Sequence, residues 1–235
     1  LERLLAIGDI HGYRDKLERL LDAVQPTERD QVVFLGDYID RGSDSCGVIE
    51  LLLEFERRFP HTVFLRGNHE QLLLDVVEKQ TDEDYALFQE NGGDITLESY
   101  GGEVVDLPQE HISFMRHTRL YYQHRADVVD PATGEHKLQD FLFVHAGVRP
   151  KVAIEDQDPF DLLNIRGHFL RASYPMGDTI VVHGHSIREN VPGNAPYRIA
   201  LDSGVYVKGP LKRRGRVKGG KLTCCDVLTR EVWQV

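Results

Sequence analysis

Several of the chain's eleven histidines sit in glycine-rich turns beside Asp or Asn, where the packing of helices and strands gives them no reason to be. Five stretches concentrate them: Gly8-Asp9-Ile10-His11-Gly12, Gly36-Asp37-Tyr38-Ile39-Asp40-Arg41-Gly42, Arg66-Gly67-Asn68-His69-Glu70, His145-Ala146-Gly147 and His183-Gly184-His185. Each follows a short apolar run, so each stands at the carboxyl end of an expected strand. In an open α/β sheet that edge is where ligands bind. The oxygen and imidazole donors of Asp, Asn and His suit intermediate divalent ions such as Mn, Fe or Zn. No Cys joins the set, which argues against a thiolate zinc site. Without cations, so many carboxylates and imidazoles would be costly to crowd together. Two ions sharing Asp37 would remove that cost, and the flanking glycines let the backbone turn sharply enough to bring the side chains together.

The elements that must position these turns are legible in the first 70 residues. Arg3 to Ile7 reads as a strand. Leu17, Leu20, Leu21 and Val24 follow at the spacing of one buried helix face, and Pro26 ends that helix. Gln31 to Leu35 is the second strand. A helix capped by Ser43 carries Val48, Leu51, Leu52 and Phe55 and stops at Pro60, and Thr62 to Leu65 is the third strand. This βαβαβ order predicts parallel strands with right-handed crossovers. Residues 71–119 read as helical, including Leu72 to Val77 and Pro108 to Thr118. Leu120 to His124 and Phe141 to His145 flank a polar turn and predict a hairpin. Thr179 to Val182, Tyr197 to Leu201, Leu222 to Val227 and Glu231 to Val235 complete a second set of strands, expected to be more antiparallel than the first. The expected architecture is α/β, one domain over residues 1–235 containing two sheets.

Composition narrows the classes. With 41% hydrophobic and 28% charged residues, the chain is neither disordered nor fibrous. No apolar run approaches the roughly 20 residues of a membrane span. The first residues run straight into a glycine turn, so they read as a strand rather than a secretory signal. A net charge of −10 opposes nonspecific binding to nucleic acid or anionic membrane. Three cysteines (Cys46, Cys224 and Cys225) make no disulfide framework and suit a reducing cytoplasm.

The first three stretches match, in order and spacing, the three signature blocks of the PPP metallophosphatases, part of the calcineurin-like metallophosphoesterase superfamily. The likeness continues through His145 and Gly184-His185 to Leu201-Asp202-Ser203-Gly204 and resembles most the compact bacterial and bacteriophage lambda type of serine/threonine phosphatase. The resemblance implies a sandwich of two mixed β-sheets flanked by α-helices, holding two divalent ions. Manganese is the first choice, with Fe, Zn, Ni or Mg as alternatives. It implies that Asp9 and His11 hold one ion, Asp37 bridges, and Asn68, His145 and His185 hold the other. His69 would be the general acid, oriented by Asp40, and Arg41, Arg66 and Arg166 would grip phosphate. Phosphoproteins or phosphopeptides would be the substrates, with no obligate regulatory subunit.

Two other readings stand beside this one. Hydrolases of diadenosine polyphosphates belong to the same superfamily, but usually replace the residue matching Asp40 and carry Asp where Glu70 stands. An inactive scaffold or nucleic-acid binder would have no use for a charged cage of ligands. His61, His111, His117, His124, His136 and His168 read as structural or solvent-facing. His183 reads as supporting the site or lining the phosphate pocket rather than as a ligand. Asp202 reads as a partner for a ligating histidine or as a plain turn residue, and Asn91-Gly92-Gly93 as a helix terminator. Residues 208–221 resemble an insertion, with seven basic residues and no acid. The common fate of such a charge run is a solvated loop, and the functional alternative is steering of anionic substrates.

Overall fold

The computed structural model describes residues 2–129, 134–193, 195–208 and 220–235. Most of the basic segment 208–221 therefore lies outside the described residues, as does most of the polar turn of the expected hairpin.

Strand β1 (Leu4–Ile7), helix α1 (Arg14–Val24), strand β2 (Gln31–Phe34), helix α2 (Ser45–Arg58) and strand β3 (Val63–Phe64) form the expected βαβαβ unit. β1 pairs in parallel with β2, and β2 with β3. Both β1 and β2 are buried along their whole length, which is why they read as uninterrupted apolar runs. Helix α2 starts one residue later than expected: its cap is Asp44, whose side chain accepts from Gly47 N. Helices α3 (Asn68–Lys79), α4 (Asp82–Glu90), α5 (Gly93–Tyr100) and α6 (Gln109–His117) fill the stretch that read as helical. Strands β4 (Tyr121–Val129) and β5 (His136–Val144) form the hairpin, longer than its apolar core suggested. Then come α7 (Pro159–Asn164), α8 (Gly167–Arg171), β6 (Ile180–His183), β7 (Arg198–Ala200), β8 (Thr223–Asp226) and β9 (Val232–Gln234).

Two expectations about the later strands need correction. The sheets run β3-β2-β1-β8-β9 and β4-β5-β6-β7. The last two strands thus complete the first sheet, with β8 antiparallel to β1. The second sheet is parallel along β5-β6-β7, with only β4 reversed. The reason lies in the connections. Residues 145–179 separate β5 from β6 and carry two helices, enough chain for a parallel crossover, whereas antiparallel neighbours can be joined by a short turn.

Alternation along β1 assigns the layers. Leu5 and Ile7 face a core shared with α1 to α6, alongside Val32 and Phe34. Leu4 and Ala6 face the other way, onto Phe141, Phe143, Val182 and Ile199 of the second sheet. Leu142, Val144 and Val181 turn outward to meet Leu162 of α7 and Phe169 of α8. The result is a two-sheet sandwich with helices on both outer faces. Among the described residues no helix is long and apolar enough to cross a membrane.

Candidate metal centre

The parallel strands of both sheets deliver their turns to one place. Two groups of potential ligands form there: His11, Asp37 and His69, and Asp37, His145 and His185. Asp37 belongs to both. One of its oxygens, Oδ2, lies 3.6 Å from His11 Nε2 and 3.9 Å from His69 Nε2. The other, Oδ1, lies 3.3 Å from His145 Nε2. Asn68 Oδ1 stands 3.1 Å from the same His145 Nε2. Asp9 is close by but outside both groups, because its two oxygens accept from His185 N at 2.9 and 3.3 Å.

The backbone is bent to achieve this. His11, Asp37, Asp40, Arg41 and His185 all adopt positive φ, between 49° and 71°. Such a conformation in a residue other than glycine costs on the order of 1–3 kcal/mol and persists only where the surroundings enforce it. Close approach needs glycine at two positions. A Cβ on Gly67 would run into Asp37 Oδ1, and one on Gly184 into Asp9 Oδ1. Glu70 ties the second turn to the third: its carboxylate accepts from Asp37 N at 2.9 Å, Tyr38 N at 2.7 Å and Gly67 N at 2.9 Å. The signal for this was in the sequence, because Glu is the residue expected three positions after a helix N-cap.

The residues fit divalent ions. His11 Nδ1 faces Ile39 O at 3.0 Å and His145 Nδ1 faces Leu35 O at 2.8 Å. In each case a backbone carbonyl fixes one ring nitrogen and leaves Nε2 aimed inward, as a ligating imidazole requires. His185 Nε2 is buried with no hydrogen-bond partner among the described residues. Burial pushes His11 down to about 3 and His185 to about 2, so both are neutral bases. Burial opposes the charge on Asp37, yet the surrounding histidines, His145 first, hold its carboxyl well below the usual range. Ion binding at a hundredfold excess over Kd adds about 2.7 kcal/mol, or about 5–11 °C in Tm for a chain of this size. Calorimetry with manganese and then a chelator should show a shift of that size. An unchanged Tm would speak against a built cation site.

A second cluster adjoins the first. His69 Nδ1 lies 2.5 Å from Asp40 Oδ2. Burial lowers the affinity of His69 for a proton, but Asp37 and Asp40 outweigh it and raise the pKa above the ordinary value. Arg41 Nη2 lies 3.2 Å from His69 Nε2, and Arg41 Nε is buried without a partner among the described residues. Tyr206, which sequence reasoning missed, supports both clusters. Its ring meets His11 edge-on at 5.0 Å, and the Arg41 guanidinium lies 4.3 Å over its centre.

The expected arginines divide. Arg41 touches His69, and exposed Arg166 lies close enough to act electrostatically on His185 and Asp202. Arg66 is held elsewhere: its nitrogens donate to Gln71 Oε1, Thr118 Oγ1 and Arg116 O, around the end of α6. His183 packs edge-on against Phe169 at 4.9 Å and lies outside both ligand groups, so it supports the helix that follows Arg166. Asp202 accepts from Gly204 N at 2.8 Å, the contact of a turn residue. The six histidines read as structural or solvent-facing also stay outside both groups.

Comparison with known proteins agrees with this geometry. A stretch 31% identical over 154 residues matches the serine/threonine-protein phosphatase PP2A-like PPG1 of Saccharomyces cerevisiae, covering 64% of this chain and 34% of that protein. The chain thus spans about a third of that relative's length. Among solved structures, one provisionally described as a diadenosine tetraphosphatase superposes with TM-score 0.67 at 24% identity, covering 99% of this chain and 92% of the other. A Saccharomyces cerevisiae protein serine/threonine phosphatase with similarity to human phosphatase PP5 superposes at 0.56 with 15% identity, over 96% of this chain and 73% of that one. At these identities the superpositions speak for the fold alone. The family model for calcineurin-like phosphoesterases matches residues 2–206, and the chain, which carries the ligand turns of a metallophosphoesterase, belongs to that family.

Proposed function

We propose that the chain hydrolyses phosphomonoesters, with phosphoserine and phosphothreonine in proteins as its substrates. The observation that carries this reading is the Asp40–His69 pair beside Arg41. A serine alkoxide is a poor leaving group and needs a proton as it departs. The products of diadenosine tetraphosphate cleavage leave as phosphates and need far less help. A buried, carboxylate-oriented imidazole next to a phosphate-sized cationic fork is what the first reaction requires.

Asp9, His11, Asp37, Asn68, His145 and His185 would hold two divalent ions, with manganese favoured by the donor set. When bound, such ions supply Lewis-acid charge and lower the pKa of water. The chain's own residues do the rest. Arg41 and Arg166 bind the phosphate oxygens, the former through a planar fork suited to that geometry. Arg66 could join them only by releasing its contacts at the end of α6. Asp40 holds His69 so that Nε2 faces the departing oxygen. The bond between phosphorus and the serine oxygen breaks, and its electron pair takes the proton from Nε2. Water supplies the incoming oxygen.

The test is a substrate panel on the metal-loaded protein: phosphoserine and phosphothreonine peptides, a small aryl phosphate and diadenosine tetraphosphate. Peptides should give the highest kcat/KM, by at least about tenfold, or about 1.4 kcal/mol in transition-state binding. Preference for the dinucleotide would overturn the reading.

A further inference from the structure

Asn91-Gly92-Gly93 is the one motif that the chemistry above leaves unused. It does end a helix, with Asn91 capping α4. It also lets the next helix, α5, come close to the catalytic turn. Gly92 has φ +98°, and a Cβ there would meet Arg41 N and Cγ at 3.4 Å. A Cβ on Gly93 would run into the ring of Phe88. The residue α5 brings to the turn is Thr96, fully buried. Its Oγ1 donates to Asp40 Oδ1 at 2.6 Å and accepts from Asp40 N at 2.8 Å. Ser45 Oγ lies 2.9 Å from Thr96 Oγ1 and also accepts from Asp40 N, at 3.1 Å.

We infer that Thr96, backed by Ser45, is the positioning residue that makes His69 an effective acid for poor leaving groups. The inference rests on the reading of His69 as general acid. Asp40 is fully buried, and its backbone is strained at φ +70°. Its carboxylate can present Oδ2 squarely to His69 only while Oδ1 is engaged. A hydroxyl has one proton and two lone pairs. With the Thr96 proton on Asp40, both lone pairs are used, one by Asp40 N and one by the Ser45 hydroxyl. Removing the Thr96 hydroxyl leaves Oδ1 a buried acceptor short of its donor, and the carboxylate turns to find another. The imidazole then loses its fixed orientation, while the ligand groups around Asp37 stay in place.

Leaving groups separate this role from a structural one. A serine oxygen must take the proton from His69 as its bond to phosphorus breaks, whereas a nitrophenolate can leave unprotonated. The full-length, manganese-loaded protein and its Thr96→Val, Thr96→Ser, Ser45→Ala and His69→Asn variants are assayed on a phosphoserine peptide and on p-nitrophenyl phosphate. Metal content and Tm are measured alongside. Thr96→Val should lose about ten- to a hundredfold on the peptide, the usual cost of removing a group that orients an active-site imidazole. On the aryl phosphate the loss should be several-fold smaller. Thr96→Ser should restore most of the peptide activity with metal content unchanged. Should Thr96→Val fold poorly, Ser45→Ala should show the same substrate ordering with a smaller loss. Equal losses on both substrates, or no rescue by Ser, would overturn the role of Thr96 provided His69→Asn does discriminate between them. If His69→Asn treats both substrates alike, the general-acid reading itself fails.

Discussion

An Asp37→Asn variant should lose about three to five orders of magnitude in turnover and no longer hold two ions per chain. Asp37 is common to both ligand groups, and its oxygens divide between them: Oδ2 toward His11 and His69, Oδ1 toward His145. Asn keeps the volume and one carbonyl oxygen. The bond from His69 N to Asp37 Oδ1, at 3.2 Å, can therefore persist. Asn also tolerates the φ of +53° at this position. What disappears is the negative charge and one anionic donor. Charge stabilisation by metal ions amounts to several kcal/mol, and each 1.36 kcal/mol is tenfold in rate. Metal analysis after desalting and single-substrate kinetics check both halves. A variant that keeps two ions and stays within tenfold of the parent rate would remove Asp37 from the centre.

How much of this was legible follows from where the information sits along the chain. The five turns stood out because Gly beside Asp, Asn or His makes no sense as packing, and the strands before them are buried on both faces. Those features are local. The joining of β8 and β9 to the first sheet is not: Leu5 pairs with Asp226, and nothing in the alternation of Thr223–Asp226 says which sheet it enters. Thr96 was invisible for the same reason. A threonine inside a helix has no local mark of function, and its partner, Asp40, is 56 residues away. Arg66 shows the opposite error. Its place before Gly67-Asn68-His69 suggested phosphate binding, but acceptors at the end of α6 hold its side chain. Glu70 was noted as a marker of family branch, and the structure gives the mark a cause: one carboxylate holding three backbone N–H groups of the turns that carry Asp37 and Asn68.

The geometry leaves His69 two possible employments, and one substitution decides between them. With His11 and Asp37 it forms a group that could hold an ion. Yet both of its nitrogens are engaged, Nδ1 by Asp40 at 2.5 Å and Nε2 by Arg41 at 3.2 Å. A guanidinium has no acceptor, so Arg41 donates to Nε2 and the ring proton sits on Nδ1, toward Asp40. When Arg41 turns to a phosphate, Nε2 is released beside the leaving oxygen, and the carboxylates that raise the affinity of His69 for a proton favour its taking one up there. A ligand would instead keep Nε2 unprotonated and pointed at the ion. His69→Asn should therefore cut turnover of a phosphoserine peptide by about a hundred- to ten-thousandfold, the range for losing an acid–base group, with metal content unchanged. Loss of an ion together with turnover would make His69 a ligand and pass the acid's role to another residue.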